Sequence, residues 1–203
     1  MKQKIKNKEM DMINGGIAGN LIIFALPVAF SSIMQQLFNS ADVAVVGRFA
    51  GDNALAAVGS CVALVGIFVN LIVGLSVGPN AVLANLIGQN KRERISGMMH
   101  TILAFGLILG GGLMVIGMLT ARTILELSGT PESVMGQALL YIWIYFTGIP
   151  FIVICNFGSA ILRSFGDTRH PMYYLIISGV VNVGLNLFLV ICFHMGVAGV
   201  AIA

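Results

Sequence analysis

One acid, Asp42, stands inside an apolar run of about residues 18–46 that holds no other ionisable side chain. A charge at mid-membrane costs about 2.5–3.5 kcal/mol on insertion scales. A carboxyl group placed there can be neutralised by a proton or by a metal cation, which is the exchange a coupling site performs. At about 100° per residue, Ser32, Gln35, Asn39 and Asp42 fall on one arc of a helix. Lipid does not tolerate such a polar stripe, so it must line a cavity or face a partner helix. The competing reading puts Asp42 at the outer interface as a hydrated cap, because Gly47, Arg48, Gly51 and Asp52 follow closely. Pro27 lies before the stripe and breaks one backbone hydrogen bond, which predicts a bend in the helix.

A second stripe, Tyr174, Ser178, Asn182 and Asn186, is spaced by four residues. Side-chain amides can ligate a cation or donate to a buried carboxylate; they also serve as ordinary interhelical hydrogen bonds. Asn156 and Ser159 add a third polar group one turn apart. The aromatic set Tyr141, Trp143, Tyr145 and Phe146 fits a ligand platform or an interfacial belt equally well. His100, His170 and His194 lie near predicted membrane edges and carry no proton-relay assignment. Cys61, Cys155 and Cys192 lack partners at metal-ligand spacing and read as small apolar packing residues. No Walker loop and no nucleophile–base set is present, so neither ATP hydrolysis nor enzymatic catalysis is expected. An intramembrane aspartyl protease would need a second carboxylate inside a span.

These residues need elements to carry them, and composition decides which. Apolar residues make up 58% of the 203 and charged residues 9%, against about 25% charged in a soluble domain. The bilayer is the solvent that suits such a chain. Apolar runs predict spans at about 18–46, 54–86, 95–120, 134–162 and 172–193, with 196–203 opening a sixth. The second and fourth runs are long for one crossing, so tilted helices are expected, with Pro79 bending the second. Thr130 is predicted to cap the fourth helix, with Pro131 at its first position. Residues 1–17 form a basic segment too unlike a cleavable leader to be one. With that segment in the cytoplasm, Lys2, Lys4, Lys6, Lys8, Lys91, Arg92, Arg94, Arg163 and Arg169 lie inside and Arg48 and Arg122 outside, nine against two. That bias predicts a multi-pass cell-membrane protein with its N-terminus inside. No basic stripe interleaved with aromatics appears, so no nucleic-acid partner is expected.

Five short stretches carry a family resemblance. Phe38-Asn39-Ser40-Ala41-Asp42-Val43 with Val46-Gly47-Arg48 resembles the helix-one signature of multidrug and toxic compound extrusion transporters. Asn53 to Gly59 resembles the start of their second helix, and Gly88-Gln89-Asn90-Lys91 the loop after it. Leu162 to Arg169 with Pro171 resembles their loop between helices four and five, and Gly196 to Ala201 the opening of helix six. The resemblance implies an all-α membrane fold of twelve helices in two six-helix lobes, of which this chain is the N-terminal lobe. It implies export of small organic compounds driven by protons or sodium, with no other cofactor. By position, Asp42 becomes the coupling carboxylate and the sodium site if sodium is the ion, with Asn182 and Asn186 beside it. Gln35, Asn39, Asn156, Ser178 and Pro27 become the surroundings of the substrate chamber. Some branches carry a second carboxylate where this chain has Asn186, so a single-carboxylate site is expected. The C-terminal lobe is then an expected partner, alongside the lipid bilayer. Two other readings stand beside it: a lipid-linked glycan flippase of related architecture, disfavoured because no Lys or Arg lies well inside a predicted span, and a non-transporting membrane remnant or interaction protein.

Overall fold

The computed structural model describes residues 17–203; the basic segment before them lies outside the described residues except for Ile17. The elements are α1 (Ile17–Phe49), α2 (Asp52–Gly88), α3 (Arg92–Leu127), α4 (Glu132–Ser164), α5 (Arg169–Leu187), a π-helical turn (Phe188–Cys192) and α6 (Val197–Ile202). Among the described residues, five helices are long and apolar enough to cross a bilayer. In hydrocarbon a helix satisfies its own backbone hydrogen bonds, which is why long apolar runs take this form. α2 has 37 residues and so spans about 55 Å at the helical rise, well beyond a hydrocarbon core of about 30 Å.

α3 outruns the predicted 95–120. The joint expected from Arg122 onwards is helical through Leu127. Arg122 Nε donates to Glu126 Oε1 at 2.8 Å across one exposed turn, while Ala121 and Leu125 are buried on the other face. A charged, solvated face and a packed face coexist there, so the charges do not end the helix.

Three joints end in one backbone device. After α2, α3 and α4 the chain turns through a left-handed residue, Asn90, Gly129 and Gly166 respectively. At the last, Gly166 N donates to Arg163 O at 3.0 Å and Asp167 N to Leu162 O at 3.1 Å. That pair of bonds is the Schellman pattern. With φ at 82°, Gly166 occupies a conformation that side chains disfavour.

The same device displaces the predicted cap of α4. Thr130 N is drawn back to Leu125 O at 3.1 Å, so Thr130 closes α3 instead of opening α4. Its hydroxyl oxygen is buried without a partner. Pro131, extended at φ −61° and ψ 142°, becomes the cap, and the helix begins at Glu132.

α4 is the hub of the bundle. Val134, Ala138, Ile142, Phe146, Ile149, Val153 and Phe157 recur at intervals of four and three, and all are buried. α2 and α3 both pack against α4, with Phe68 meeting Phe146 edge-on at 4.8 Å. On α3, Gly110 lies against the backbone of α4: a Cβ there would lie 2.8 Å from Pro150 Cα. That neighbour is backbone and cannot rotate aside. Gly110→Ala is therefore expected to force α3 from α4 at a cost of about 1–3 kcal/mol, read as a lower unfolding temperature in detergent. An unchanged midpoint would show that the two helices have room to spare.

α1 packs chiefly on α5. This pair and α2 and α4 enclose the polar groups described next.

Candidate functional site

The two polar stripes meet where α1 crosses α5. Gly179 on α5 is buried, and a Cβ added there would lie 2.1 Å from the Phe38 ring of α1. The missing side chain lets the helices approach closely. Four residues beyond Phe38 comes Asp42, and seven beyond Gly179 comes Asn186.

There Asn186 Nδ2 donates to Asp42 Oδ1 at 2.5 Å and to Asn182 Oδ1 at 3.3 Å. Asp42 is half-buried and Asn186 is fully buried, at 0% exposure. Asn186 Oδ1 is also buried and accepts nothing. Asp42 Oδ1 and Asn182 Oδ1 thus both accept from the one buried Asn186 amide. Carboxylate and amide oxygens are ligand types that a hard cation takes, and a proton needs only the carboxylate. No group of three or more His, Cys, Asp or Glu able to hold a metal occurs among the described residues. The cluster therefore offers one charge and neutral amides. Asp42 lies seven residues before the end of α1, within the regular helix and not in the joint to α2. It does not act as a helix cap.

On the other side of the crossing lies a cavity of about 430 Å³. α1 lines it with Ser31, Ser32 and Gln35, α4 with Asn156, Ser159 and Arg163, the turn before α5 with Thr168, and α5 with Tyr174 and Ser178. Gln35 precedes Asp42 by two turns, about 10 Å along the helix. Several of these polar groups bond within their own helix: Ser31 Oγ to Pro27 O at 2.7 Å, Asn156 Nδ2 to Ile152 O at 2.9 Å, and Ser178 Oγ to Leu175 O at 3.0 Å.

Asn39 and Pro27 are not part of that wall. Asn39 sits about 100° around α1 from Phe38, which marks the α5 side, and it is exposed. Pro27 is half-buried, and its neighbour Val28 is in the wall instead. Arg163 was expected in the joint after the fourth span. It occupies the last turn of α4 and reaches the cavity.

The aromatic set divides between faces of α4. Phe146 is in the core and Trp143 is exposed, while Tyr141 and Tyr145 stack at 6.3 Å, half-buried. Among the histidines, His100 Nδ1 lies 2.8 Å from Ser96 O and His194 is exposed. His170 pairs with Asp167. Burial opposes the charge on Asp167, but the His170 backbone N–H and ring, with the Arg169 N–H, outweigh it and hold its carboxyl below the ordinary range. Cys61 is buried, its thiol 3.6 Å from Ala138 O.

A cavity with polar side chains between long apolar helices, and a lone carboxylate beyond the α1–α5 crossing, invite comparison with known membrane proteins. Residues 27–188 match the MatE family model. The chain belongs to the MatE family. The probable multidrug resistance protein YpnP of Bacillus subtilis is 32% identical over 197 residues, covering 96% of this chain and 44% of that protein. The probable multidrug resistance protein YoeA of the same organism is 32% identical over 166 residues, covering 82% of this chain and 36% of that protein. A crystal structure of MATE in complex with MaD5 superimposes with a TM-score of 0.86 at 25% identity, over 96% of this chain and 44% of that one. The MATE chain described here thus spans less than half the length of these relatives. It has the all-helical fold of a MATE lobe, and it is a multi-pass membrane protein.

Proposed function

We propose that this chain is the N-terminal lobe of a MATE transporter that exports small organic compounds in exchange for protons or sodium, working with a second six-helix lobe. The observation that carries this reading is the Asp42–Asn186 hydrogen bond, which ties α1 to α5 two helical turns beyond Gln35 of the cavity wall. A cation arriving at Asp42 competes for the oxygen that holds the helices together, so cation binding and cavity shape are linked. Multidrug resistance in the names of YpnP and YoeA agrees with an organic cargo. The count of basic residues favours the N-terminus inside the cell. Driven this way, each charge carried inward yields about 2.3 kcal/mol per 100 mV.

The test is gradient-driven export. Everted membrane vesicles that hold this chain together with a second MATE lobe are loaded with ethidium outside, and a proton or a sodium gradient is imposed. Ethidium accumulation is expected with one of the two gradients and collapse of it on adding the matching ionophore. Accumulation that depends on ATP, or on neither gradient, would rule the proposal out.

A further inference from the structure

We infer that the α4–α5 end of the cavity is a phosphate subsite, in which the Arg163 guanidinium and the Thr168 hydroxyl bind the oxyanion of a bound compound. Arg163 is half-buried and is the one charged group in the cavity wall among the described residues. The ion pairs in the described residues are Arg122 with Glu126 and His170 with Asp167; Arg163 takes part in neither. A guanidinium partly withdrawn from water with no carboxylate beside it is a poised oxyanion receptor, because its planar fork matches two oxygens at once. Thr168 supplies the second observation. It is 3% exposed, it lies in the same wall, and its Oγ1 has no hydrogen-bond partner. A buried hydroxyl without a partner is costly unless a ligand completes it.

The start of α5 does not itself provide the donors. Arg169 N and His170 N already donate to Asp167 Oδ1, at 3.2 and 3.1 Å. Asp167 is held by these bonds and by the His170 ring, and it is not in the cavity wall. Repulsion of an incoming oxyanion by Asp167 is thereby reduced. The Schellman turn at Gly166 sets both side chains: it ends α4 just after Arg163 and buries Thr168 before α5 begins. The rest of the wall is uncharged, with Ser31, Gln35, Asn156 and Ser178 set among the apolar Val28, Val73 and Leu175. A phosphate-bearing compound would therefore place its charge at Arg163 and its body toward the α1–α5 crossing.

The phosphate could belong to a soluble organic phosphate or to a phospholipid headgroup. Calling the occupant cargo rests on the transport reading; its binding does not. Purified protein in an uncharged maltoside detergent is titrated with phenyl phosphate, followed by phosphorus NMR line width. In parallel, retention of phosphatidylglycerol through purification is measured by mass spectrometry. Saturable phenyl phosphate binding is expected, weakened about tenfold or more by Arg163→Gln, as loss of a charge-assisted pair implies. Arg163→Lys should recover part of it, and Thr168→Val should weaken it less than Arg163→Gln. Phenyl phosphate binding that depends on Arg163 identifies a soluble phosphate; Arg163-dependent retention of phosphatidylglycerol alone identifies a headgroup. Either outcome supports the subsite. If neither ligand responds to Arg163→Gln in protein of native helicity, the subsite does not exist. If the parent protein binds phenyl phosphate through Arg163 but shows no export with either a proton or a sodium gradient, the transport reading alone is overturned and the subsite stands.

Discussion

Asp42→Asn is expected to reduce gradient-driven export to the leak rate while leaving the protein folded and in the membrane. The substitution keeps the shape of the side chain and removes its ability to exchange a cation. Asn186 Nδ2 can still donate to the amide oxygen that replaces Oδ1, so the α1–α5 link survives as a neutral hydrogen bond worth about 0.5–1.5 kcal/mol. Removing a half-buried charge also removes its desolvation cost. Stability should therefore hold or rise while transport disappears. Ethidium efflux, scored beside the amount of protein in the membrane fraction, separates the two effects. Efflux at the parent rate would mean that Asp42 has no part in coupling.

Asn186→Leu is the second large effect. Leu has a similar volume, so the buried site stays filled. Two changes oppose each other in stability. The hydrogen bond from Asn186 to the Asp42 carboxylate is lost, at about 1.5–3 kcal/mol for a bond to a charged group, and with it the long, weak one to Asn182. The unpartnered Oδ1 of Asn186 is lost as well, which recovers about 1–3 kcal/mol. The unfolding temperature is expected to move little. Transport is not so protected, because only the first change touches the balance between tied and untied arrangements of α1 and α5. A shift of about 1.5–3 kcal/mol in that balance is a factor of roughly ten to a hundred. Export should fall by about tenfold or more with the protein still stable. A variant that unfolds early and exports normally would reverse both expectations. Asn182→Leu is the internal comparison: its bond to Asn186 is longer, at 3.3 Å, and neutral, so its effect on export should be smaller.

How much of this was legible in residue order differs from element to element. The helices on the five predicted runs follow from local physics: about 20 apolar residues in lipid have only a helix or a closed barrel open to them. The ends were less legible. α3 passes through Arg122 and Glu126 because that turn is solvated on one side and packed on the other, and packing cannot be read from a run of charges. Thr130 has the residue type of a cap, yet the closing turn of the preceding helix takes its N–H first.

The same division holds at the site. Sequence alone determined that Asp42 and Gln35 share one face of α1 and that Ser178, Asn182 and Asn186 share one face of α5, because a helix of fixed period sets the angle between its own residues. It also determined the lipid environment and, through motifs in order, the family. Tertiary structure decided how those faces are rotated and slid against each other. The Phe38–Gly179 contact sets that register. It brings Asn186 to Asp42 and leaves Asn39 outside. The turn after α4 likewise carries Arg163 into the cavity. Periodicity within a helix is a property of its backbone, whereas rotation and register between helices come from side chains filling one another's gaps, and no residue order states those until the bundle has packed.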